Sequence, residues 1–162
     1  MEVELNGAVV SIIDGDTFDM VATNGTQYRI RLADIDAPER DEAGYTEAKK
    51  YLEMLVYGKA VYLDVDDLYT WDNYGSGSRL VSVVYIDYNL THYLNVNEAL
   101  AKAGHAEKRE YANEFNPYHW SLYTPKQENI GFPYTSLLAL IAIALIAFSI
   151  LHVILKFLRR KT

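Results

Sequence analysis

Residues 3–39 read VELNGAVVSIIDGDTFDMVATNGTQYRIRLADIDAPE, and this stretch decides the fold class. Three runs within it, 3–13, 17–21 and 27–32, are apolar or alternate in polarity and are rich in β-branched residues. They are separated by Asp14-Gly15 and Asn24-Gly25, dipeptides that favour tight hairpin turns. The pattern therefore predicts three consecutive antiparallel strands.

The rest of the first 125 residues contains two further strand patterns and three helical ones. Strands are predicted at 60–65 and 79–86, and helices at 46–56, 94–103 and 117–123. The polar, glycine-rich stretch between the last two strands predicts a loop. Five short strands with a helix after the third and another after the fifth indicate an α+β fold, a small five-stranded Greek-key barrel of the oligonucleotide-binding (OB) type.

The C-terminal part of the chain has a different composition. Residues 137–155 are almost uninterrupted Leu, Ile, Ala, Val and Phe, and 19 residues approach the roughly 20 that span a bilayer. The sequence therefore predicts four regions. These are an OB-fold domain (1–125), a linker (126–136), a single transmembrane helix (137–155) and a basic tail (156–162).

The orientation of this predicted membrane protein rests on conflicting signals. The basic tail favours a cytoplasmic C-terminus and an extracytoplasmic domain. Two glycosylation patterns, Asn24-Gly25-Thr26 and Asn89-Leu90-Thr91, point the same way. Met1, however, is followed by acidic, strand-like sequence and not by a signal peptide. We expect an extracytoplasmic domain, with a tail-anchored cytoplasmic domain as the alternative.

Charge and composition restrict the chemistry. The chain carries −7; residues from Lys126 onward carry five Lys/Arg and one Glu, which leaves −11 for residues 1–125. An acidic domain repels nucleic acid unless a bound divalent cation and a few arginines invert the charge locally. The absence of cysteine excludes disulfides, thiolate nucleophiles and iron–sulfur clusters. The four histidines show no metal-ligand spacing, which argues against a zinc or histidine-based mechanism.

Several acidic residues and one arginine recur around the predicted hairpins. Asp16 follows the first turn, Arg31 ends the third strand, and Asp36 and Glu39 flank Ala37-Pro38. Taken singly, each has an ordinary structural role in a turn or on a solvated strand. Together, carboxylates that can hold a hard cation and a guanidinium that can bind phosphate predict a metal-assisted phosphodiesterase.

The order of these motifs resembles the staphylococcal nuclease (thermonuclease) family over roughly residues 8–106. The resemblance rests on IDGDT (13–17), RL (31–32), IDAPE (35–39), DNYG (72–75), RLV (79–81) and NEAL (97–100). It implies a Ca²⁺-dependent phosphodiesterase on an OB-fold barrel. Such an enzyme cuts DNA and RNA with little sequence preference and leaves 5′-hydroxyl and 3′-phosphate ends.

The resemblance also assigns roles to residues. Asp16, Asp36 and the backbone carbonyl of Ala37 would be the calcium ligands. Arg31 and Arg79 would bind the scissile phosphate, Glu39 would be the general base, and Tyr74 would contact substrate; these assignments follow the family's motif positions. We expect the catalytic domain to be monomeric.

The chain departs from the family pattern in two places. Ser76-Gly77-Ser78 intervenes between the Tyr-Gly pair and Arg79, whereas relatives commonly have arginine directly after this pair. Residues 107–111 have no secure match, and the last helix is short.

Two other functions fit the same sequence. One is a noncatalytic barrel that binds nucleic acid or protein, which the inserted serines and the acidic domain favour. The other is a metal-dependent phosphodiesterase for a smaller substrate, such as a nucleotide. Retention of all five site residues favours the nuclease.

Overall fold

The structure, a computed structural model, describes residues 2–68, 71–74, 77–126, 141–148 and 156, with side chains outside 71–78. The chain forms two compact units, Met1–Lys126 and Gln127–Thr162. The labelled strands and helices below belong to the first unit.

Within its described residues, this unit contains ten strands, two α-helices and one 3₁₀ helix. The strands are β1 (Leu5–Ile12), β2 (Thr17–Ala22), β3 (Gln27–Leu32), β4 (Ile35–Asp36), β5 (Ala60–Val65), β6 (Trp71–Tyr74), β7 (Gly77–Asp87), β8 (His92–Asn95), β9 (Glu107–Lys108) and β10 (Tyr123–Pro125). The helices are α1 (Tyr45–Val56), α2 (Val96–Lys102) and the 3₁₀ helix Pro117–His119.

Five of the strands close into a barrel. β1, β2 and β3 form an antiparallel meander, β3 runs parallel to β7, and β5 pairs antiparallel with both β7 and β1. Closure removes the free sheet edges that these strands would otherwise expose. The expectation of a five-stranded barrel with three helices is confirmed.

The barrel interior is filled by alternate side chains of its strands. Phe18 and Met20 of β2, Ile30 of β3 and Leu63 of β5 are fully buried. Since successive strand residues face opposite sides, Arg29 and Arg31 face outward from β3. Helix α1 covers one opening with its apolar stripe of Ala48, Leu52 and Val56. The same alternation that forms the core therefore places Arg29 and Arg31 on the outer side of β3.

Short pairings that the sequence pattern did not predict extend the barrel. The predicted loop between β5 and β7 contains β6, which forms a hairpin with the start of β7. The predicted second helix loses its first residues because Leu94 pairs with Ile86 in the β7–β8 ladder. Asn95 then caps α2, its side chain accepting a 3.0 Å hydrogen bond from the Glu98 N–H.

The predicted third helix is shorter than its pattern indicated. Asn116 caps it by accepting from the Tyr118 N–H at 3.0 Å, and Pro117 opens it. The helix ends after one turn because Trp120 is extended and packs against the barrel, and Tyr123 pairs with Leu94.

Asn97 fastens α2 to the barrel. Its buried side chain accepts from the Val84 N–H at 3.0 Å and donates to the carbonyls of Ala33 at 2.8 Å and Ser82 at 3.3 Å. These bonds join α2 to β7 and to the connection after β3. The connection carries β4, so Asn97 helps to fix the strand that contains Asp36.

In the second unit, residues 141–148 are helical. Most of the predicted transmembrane segment 137–155 lies outside the described residues. In the ranges that the structure describes, no helix combines the length and apolar character needed to cross a membrane.

Candidate active site

The turn between β1 and β2 positions Asp16. The Ile13 N–H donates to the Thr17 carbonyl at 2.9 Å, and the Asp14 side chain accepts from the Asp16 N–H at 3.1 Å. Asp14 therefore shapes the turn, while the Asp16 side chain is directed into the protein.

Gly15 allows this turn to approach its neighbours closely. A Cβ at this position would lie 2.6 Å from the Ala37 Cβ and 2.9 Å from the Ala48 Cβ, both shorter than normal carbon contacts. The glycine therefore lets the turn rest against Ala37 and helix α1, which brings Asp16 next to the β4 region.

The Asp16 carboxylate is buried and fully engaged. It is 7% exposed, and it accepts from the Ala37 N–H at 2.9 Å and from the Thr17 hydroxyl at 3.1 Å. Nη1 of Arg31 lies 3.0 Å from Oδ2 of Asp16. The side chain thus connects the first turn, β3 and the residue after β4.

Arg31 bridges two carboxylates. The register of β2 and β3 places it opposite Thr17, and its side chain is 13% exposed. Besides Asp16, the guanidinium reaches Oδ1 of Asp36 at 3.5 Å and donates to the Leu32 carbonyl at 2.9 Å. Asp16, Arg31 and Asp36 are therefore brought together, as their motifs predict.

Asp36 has a second arginine partner that the sequence analysis missed. Nε of Arg109 lies 3.1 Å from Oδ2 of Asp36. The contact follows from the short β4–β9 pairing, in which Asp36 lies opposite Glu107. Residues 107–111 had no motif match, and a two-residue pairing leaves no periodic pattern, so only the concentration of charge there could have drawn attention to Arg109.

Ala37 and Glu39 lie on the segment that leaves the site. Ala37 is buried, whereas Glu39 is exposed. The Glu39 N–H donates to Oε2 of Glu42 at 2.8 Å, which fixes its backbone. Glu39 is thus a solvent-facing carboxylate three residues beyond Asp36.

Arg79 lies on β7, next to the strand that carries Arg31. The parallel register pairs Ile30 with Leu80 and Arg31 with Val81, so Arg79 and Arg31 face the same outer side. Their Cα atoms are roughly 8 Å apart for an offset of two residues between neighbouring strands. The insertion before Arg79 therefore leaves it on the outer face that carries Arg31. The Tyr74 side chain lies outside the described residues, so its predicted contact with substrate remains a prediction.

Burial makes Asp16 costly to ionise. Desolvation raises the pKa of Asp16 from 3.8 to about 6, against the opposing effects of the Arg31 guanidinium and the Ala37 N–H. Burial outweighs the 3.0 Å ion pair with Arg31, and the neighbouring Asp14 raises the pKa of Asp16 further. A further cation at this carboxylate would favour its charged form.

The donor set fits calcium. Asp16 and Asp36 offer hard carboxylate oxygens on either side of the Arg31 guanidinium. Ala37 lies next to both acids, because its N–H donates to Asp16 and it directly follows Asp36 in the chain. Across the described residues, no three His, Cys, Asp or Glu side chains gather at a metal-sized site. A bound ion would therefore need the Ala37 carbonyl and water as further ligands.

The raised pKa of Asp16 predicts a pH-dependent loss of stability in chelator. The folded state binds the Asp16 proton more tightly than the unfolded state does. The stability that this proton contributes is therefore complete below about pH 3.8 and is lost as the pH rises through about 6. Asp16→Asn cannot ionise, so its free energy of unfolding relative to wild type should rise by about 2–3 kcal/mol between pH 4 and pH 7. Urea denaturation in EDTA measures this difference, and a difference constant with pH would contradict it.

Comparison with known proteins gives a consistent result. The family described as Staphylococcal nuclease homologue matches residues 29–129. The protein ParB of Escherichia coli is 38% identical over 107 residues, which cover 64% of this chain and 56% of ParB. The micrococcal nuclease of Shigella flexneri is 34% identical over 112 residues, covering 67% and 60%. An uncharacterized endonuclease of Haemophilus influenzae is 34% identical over 122 residues, covering 75% and 59%.

The chain thus spans less than two thirds of the length of these curated relatives. The family match covers more than half of this chain, from the third residue of β3 to beyond β10, and includes all of the predicted site residues except Asp16. The chain belongs to the family of staphylococcal nuclease homologues.

Proposed function

We propose that the protein is a Ca²⁺-dependent endonuclease that hydrolyses DNA and RNA with low sequence specificity and leaves 5′-hydroxyl and 3′-phosphate ends. One observation carries the proposal: the Arg31 guanidinium lies between the carboxylates of Asp16 and Asp36. Two acids that could hold a cation and a guanidinium that could bind phosphate are thereby brought to one place. The nuclease and endonuclease names among the relatives support the same reaction class.

Asp16, Asp36 and the Ala37 carbonyl would hold the ion. When bound, Ca²⁺ would supply positive charge that polarises the phosphodiester and orients a water molecule. The same charge would offset the desolvation of Asp16, whose pKa is raised to about 6 in the structure.

Arg31 and Arg79 would act on the phosphate. Both lie on the outer face of adjacent strands, and each offers a planar fork of donors to nonbridging oxygens. Negative charge grows on those oxygens as the nucleophile attacks, so the donors stabilise the transition state more than the ground state. Arg31 is preorganised, because its bond to the Leu32 carbonyl and its ion pair with Asp16 fix the side chain.

Glu39 would accept the proton from the attacking water, while the P–O5′ bond breaks and the leaving 5′-oxygen takes a proton from solvent. The Glu39 carboxylate is exposed to solvent. The backbone at Glu39 is restricted by the preceding Pro38 and by the hydrogen bond from the Glu39 N–H to Glu42. A solvent-accessible carboxylate three residues beyond Asp36 suits the role of general base.

A binding module without turnover is the alternative. It is favoured by the net charge of −11 on residues 1–125 and by an exposed aromatic pair. This pair is Tyr88, in the connection between β7 and β8, and Tyr123 of β10, whose ring centroids are 4.4 Å apart. Exposed aromatic rings can stack on bases and so hold a strand without hydrolysing it. Binding without cleavage, under conditions where the site is intact, would select this alternative.

Metal dependence can be tested with the full chain purified in mild detergent. We expect cleavage of single-stranded DNA and RNA with Ca²⁺, loss of activity in chelator, and recovery when Ca²⁺ is restored. Asp16→Ala should lower the rate by about 100-fold or more, since the buried ligand is lost. The matched control is Asp41→Ala at an exposed aspartate.

Activity that survives in chelator or in Asp16→Ala would contradict the proposed mechanism. Hydrolysis of dinucleotides in preference to DNA and RNA would instead identify a phosphodiesterase for small substrates. Labelling of the product ends with a 5′-kinase tests for the 5′-hydroxyl.

Glu39→Gln should separate chemistry from binding. We expect kcat to fall by about 10²–10⁴-fold, because the amide cannot accept the proton, while the affinity for DNA stays within about twofold. Glu47→Gln, at an exposed position in the first turn of α1, is the control. Full activity of Glu39→Gln in single-turnover assays would exclude Glu39 as the base.

We also propose that residues 137–155 anchor the protein in a membrane with the nuclease domain outside the cytoplasm. The apolar composition of this segment and the basic residues after it support the proposal. Protease added to intact cells should then remove residues 1–125. Protection of this domain in intact cells, with digestion after lysis, would indicate the cytoplasmic orientation.

A further inference from the structure

Two arginines contact Asp36, and they differ in how firmly they are held. The Arg31 side chain is 13% exposed and has three polar partners, Asp16, Asp36 and the Leu32 carbonyl. The Arg109 side chain is 55% exposed and touches Asp36 through Nε at 3.1 Å. Its other ion pair, with Glu107, is longer, at 3.8 Å. Arg31 is therefore the fixed cation and Arg109 the exchangeable one.

The Arg109 backbone, in contrast, is firmly anchored. Its N–H donates to the Asp34 carbonyl at 3.0 Å, directly after the β4–β9 pairing. Asp34 is fully buried with a φ of 52°, and its Oδ1 accepts from the Tyr111 N–H at 3.1 Å and from Nδ2 of Asn113 at 2.7 Å. The chain on both sides of Arg109 is thereby tied to the turn before β4, so the guanidinium can move while its Cα stays at the site.

Arg109 and a divalent cation would compete for the carboxylate of Asp36. A divalent cation and the guanidinium both require the oxygens of the same carboxylate, whose side chain is 33% exposed. Ion pairs at exposed positions are weak, so a cation with several ligands can displace Arg109. The displaced guanidinium would stay close to the site, because its backbone is anchored, and its donors would be available to a phosphate of the bound nucleic acid.

We propose that Arg109 is an exchangeable internal cation: it neutralises Asp36 in the metal-free protein and turns to a substrate phosphate beside the scissile one when a divalent cation binds. This inference rests on the proposed nuclease function. It gives Arg109 two roles with opposite effects, because the residue opposes cation binding and promotes nucleic acid binding. A purely structural residue would not produce that pair of effects.

The test uses Arg109→Ala, Arg109→Lys and the matched control Arg29→Ala in the full chain. Arg29 is a comparable arginine, 45% exposed and paired with Asp19 at 2.8 Å, on the outer face of β3. Ca²⁺ affinity is measured by calorimetry without nucleic acid. DNA affinity is measured by fluorescence anisotropy with saturating Ca²⁺, in a Glu39→Gln background that prevents cleavage.

Arg109→Ala should bind Ca²⁺ roughly two- to fivefold more tightly, because the competing ion pair is gone. It should bind DNA about five- to tenfold more weakly, with a salt dependence shallower by about 0.7 for the lost phosphate contact. Arg109→Lys keeps the charge but not the planar fork, so it should bind Ca²⁺ like wild type and DNA less tightly. Arg29→Ala should leave Ca²⁺ affinity unchanged.

Three results would overturn the proposal. They are unchanged or weaker Ca²⁺ binding by Arg109→Ala, unchanged DNA binding by this variant, and an equal gain in Ca²⁺ affinity in Arg29→Ala, which would indicate a general charge effect. Thermal unfolding shows whether the variants are folded. If the wild-type protein binds Ca²⁺ and DNA but does not cleave, the nuclease function is refuted, while the expected effects of Arg109→Ala would still support the exchange of Arg109 between Asp36 and phosphate. If the wild-type protein binds no Ca²⁺, both the nuclease function and the exchange are refuted.

Discussion

The ion pairs between Arg31 and the carboxylates of Asp16 and Asp36 hold the site and part of the fold together. They connect the β1–β2 turn, the end of β3 and strand β4. A buried carboxylate without a compensating charge costs several kcal/mol, so the β1–β2 turn can carry Asp16 inward only because Arg31 meets it there. The same residue that would bind the phosphate thus neutralises the acids that would bind the cation. Function and stability are coupled at one guanidinium.

Much of the fold follows from local sequence. β3 and β5 have the predicted boundaries because their residues alternate between core and surface and lie between strong turn signals. The pairings that sequence reasoning missed are short and involve distant partners. Ile35 and Asp36 become a strand only because Glu107 and Lys108 lie beside them. A segment of two residues has no periodicity, so its structure depends on tertiary contacts that a local pattern does not contain.

The candidate site likewise contains residues that the sequence predicted and one that it did not. The spacing of Asp16, Arg31 and Asp36 could be interpreted from sequence because these residues lie on a hairpin and the turn that follows it, where neighbours in sequence are neighbours in space. Arg109 reaches the same carboxylate from about 70 residues further along the chain, as the numbering shows. Its placement requires the positive φ of Asp34 and the hydrogen bonds of that residue to the 109–113 segment. In the sequence, a charged run such as Glu107–Glu110 has the same appearance as ordinary solvated surface.

The acidic character of residues 1–125 is compatible with a polyanionic substrate, because the repulsion of nucleic acid and its attraction to the site would act over different distances. Outside the site, several carboxylates already have cationic partners: Asp19 pairs with Arg29, Asp87 with Lys126, and Glu98 with Lys102 and Lys108. The uncompensated charge repels nucleic acid at long range, and salt screens that repulsion beyond about 8 Å at physiological ionic strength. Contacts of phosphate with a bound cation and with arginines act within a few ångströms and are screened less. In the proposed nuclease, loose association of nucleic acid would therefore be disfavoured, and binding of phosphate would depend on the local geometry of the site and not on the net charge of the domain.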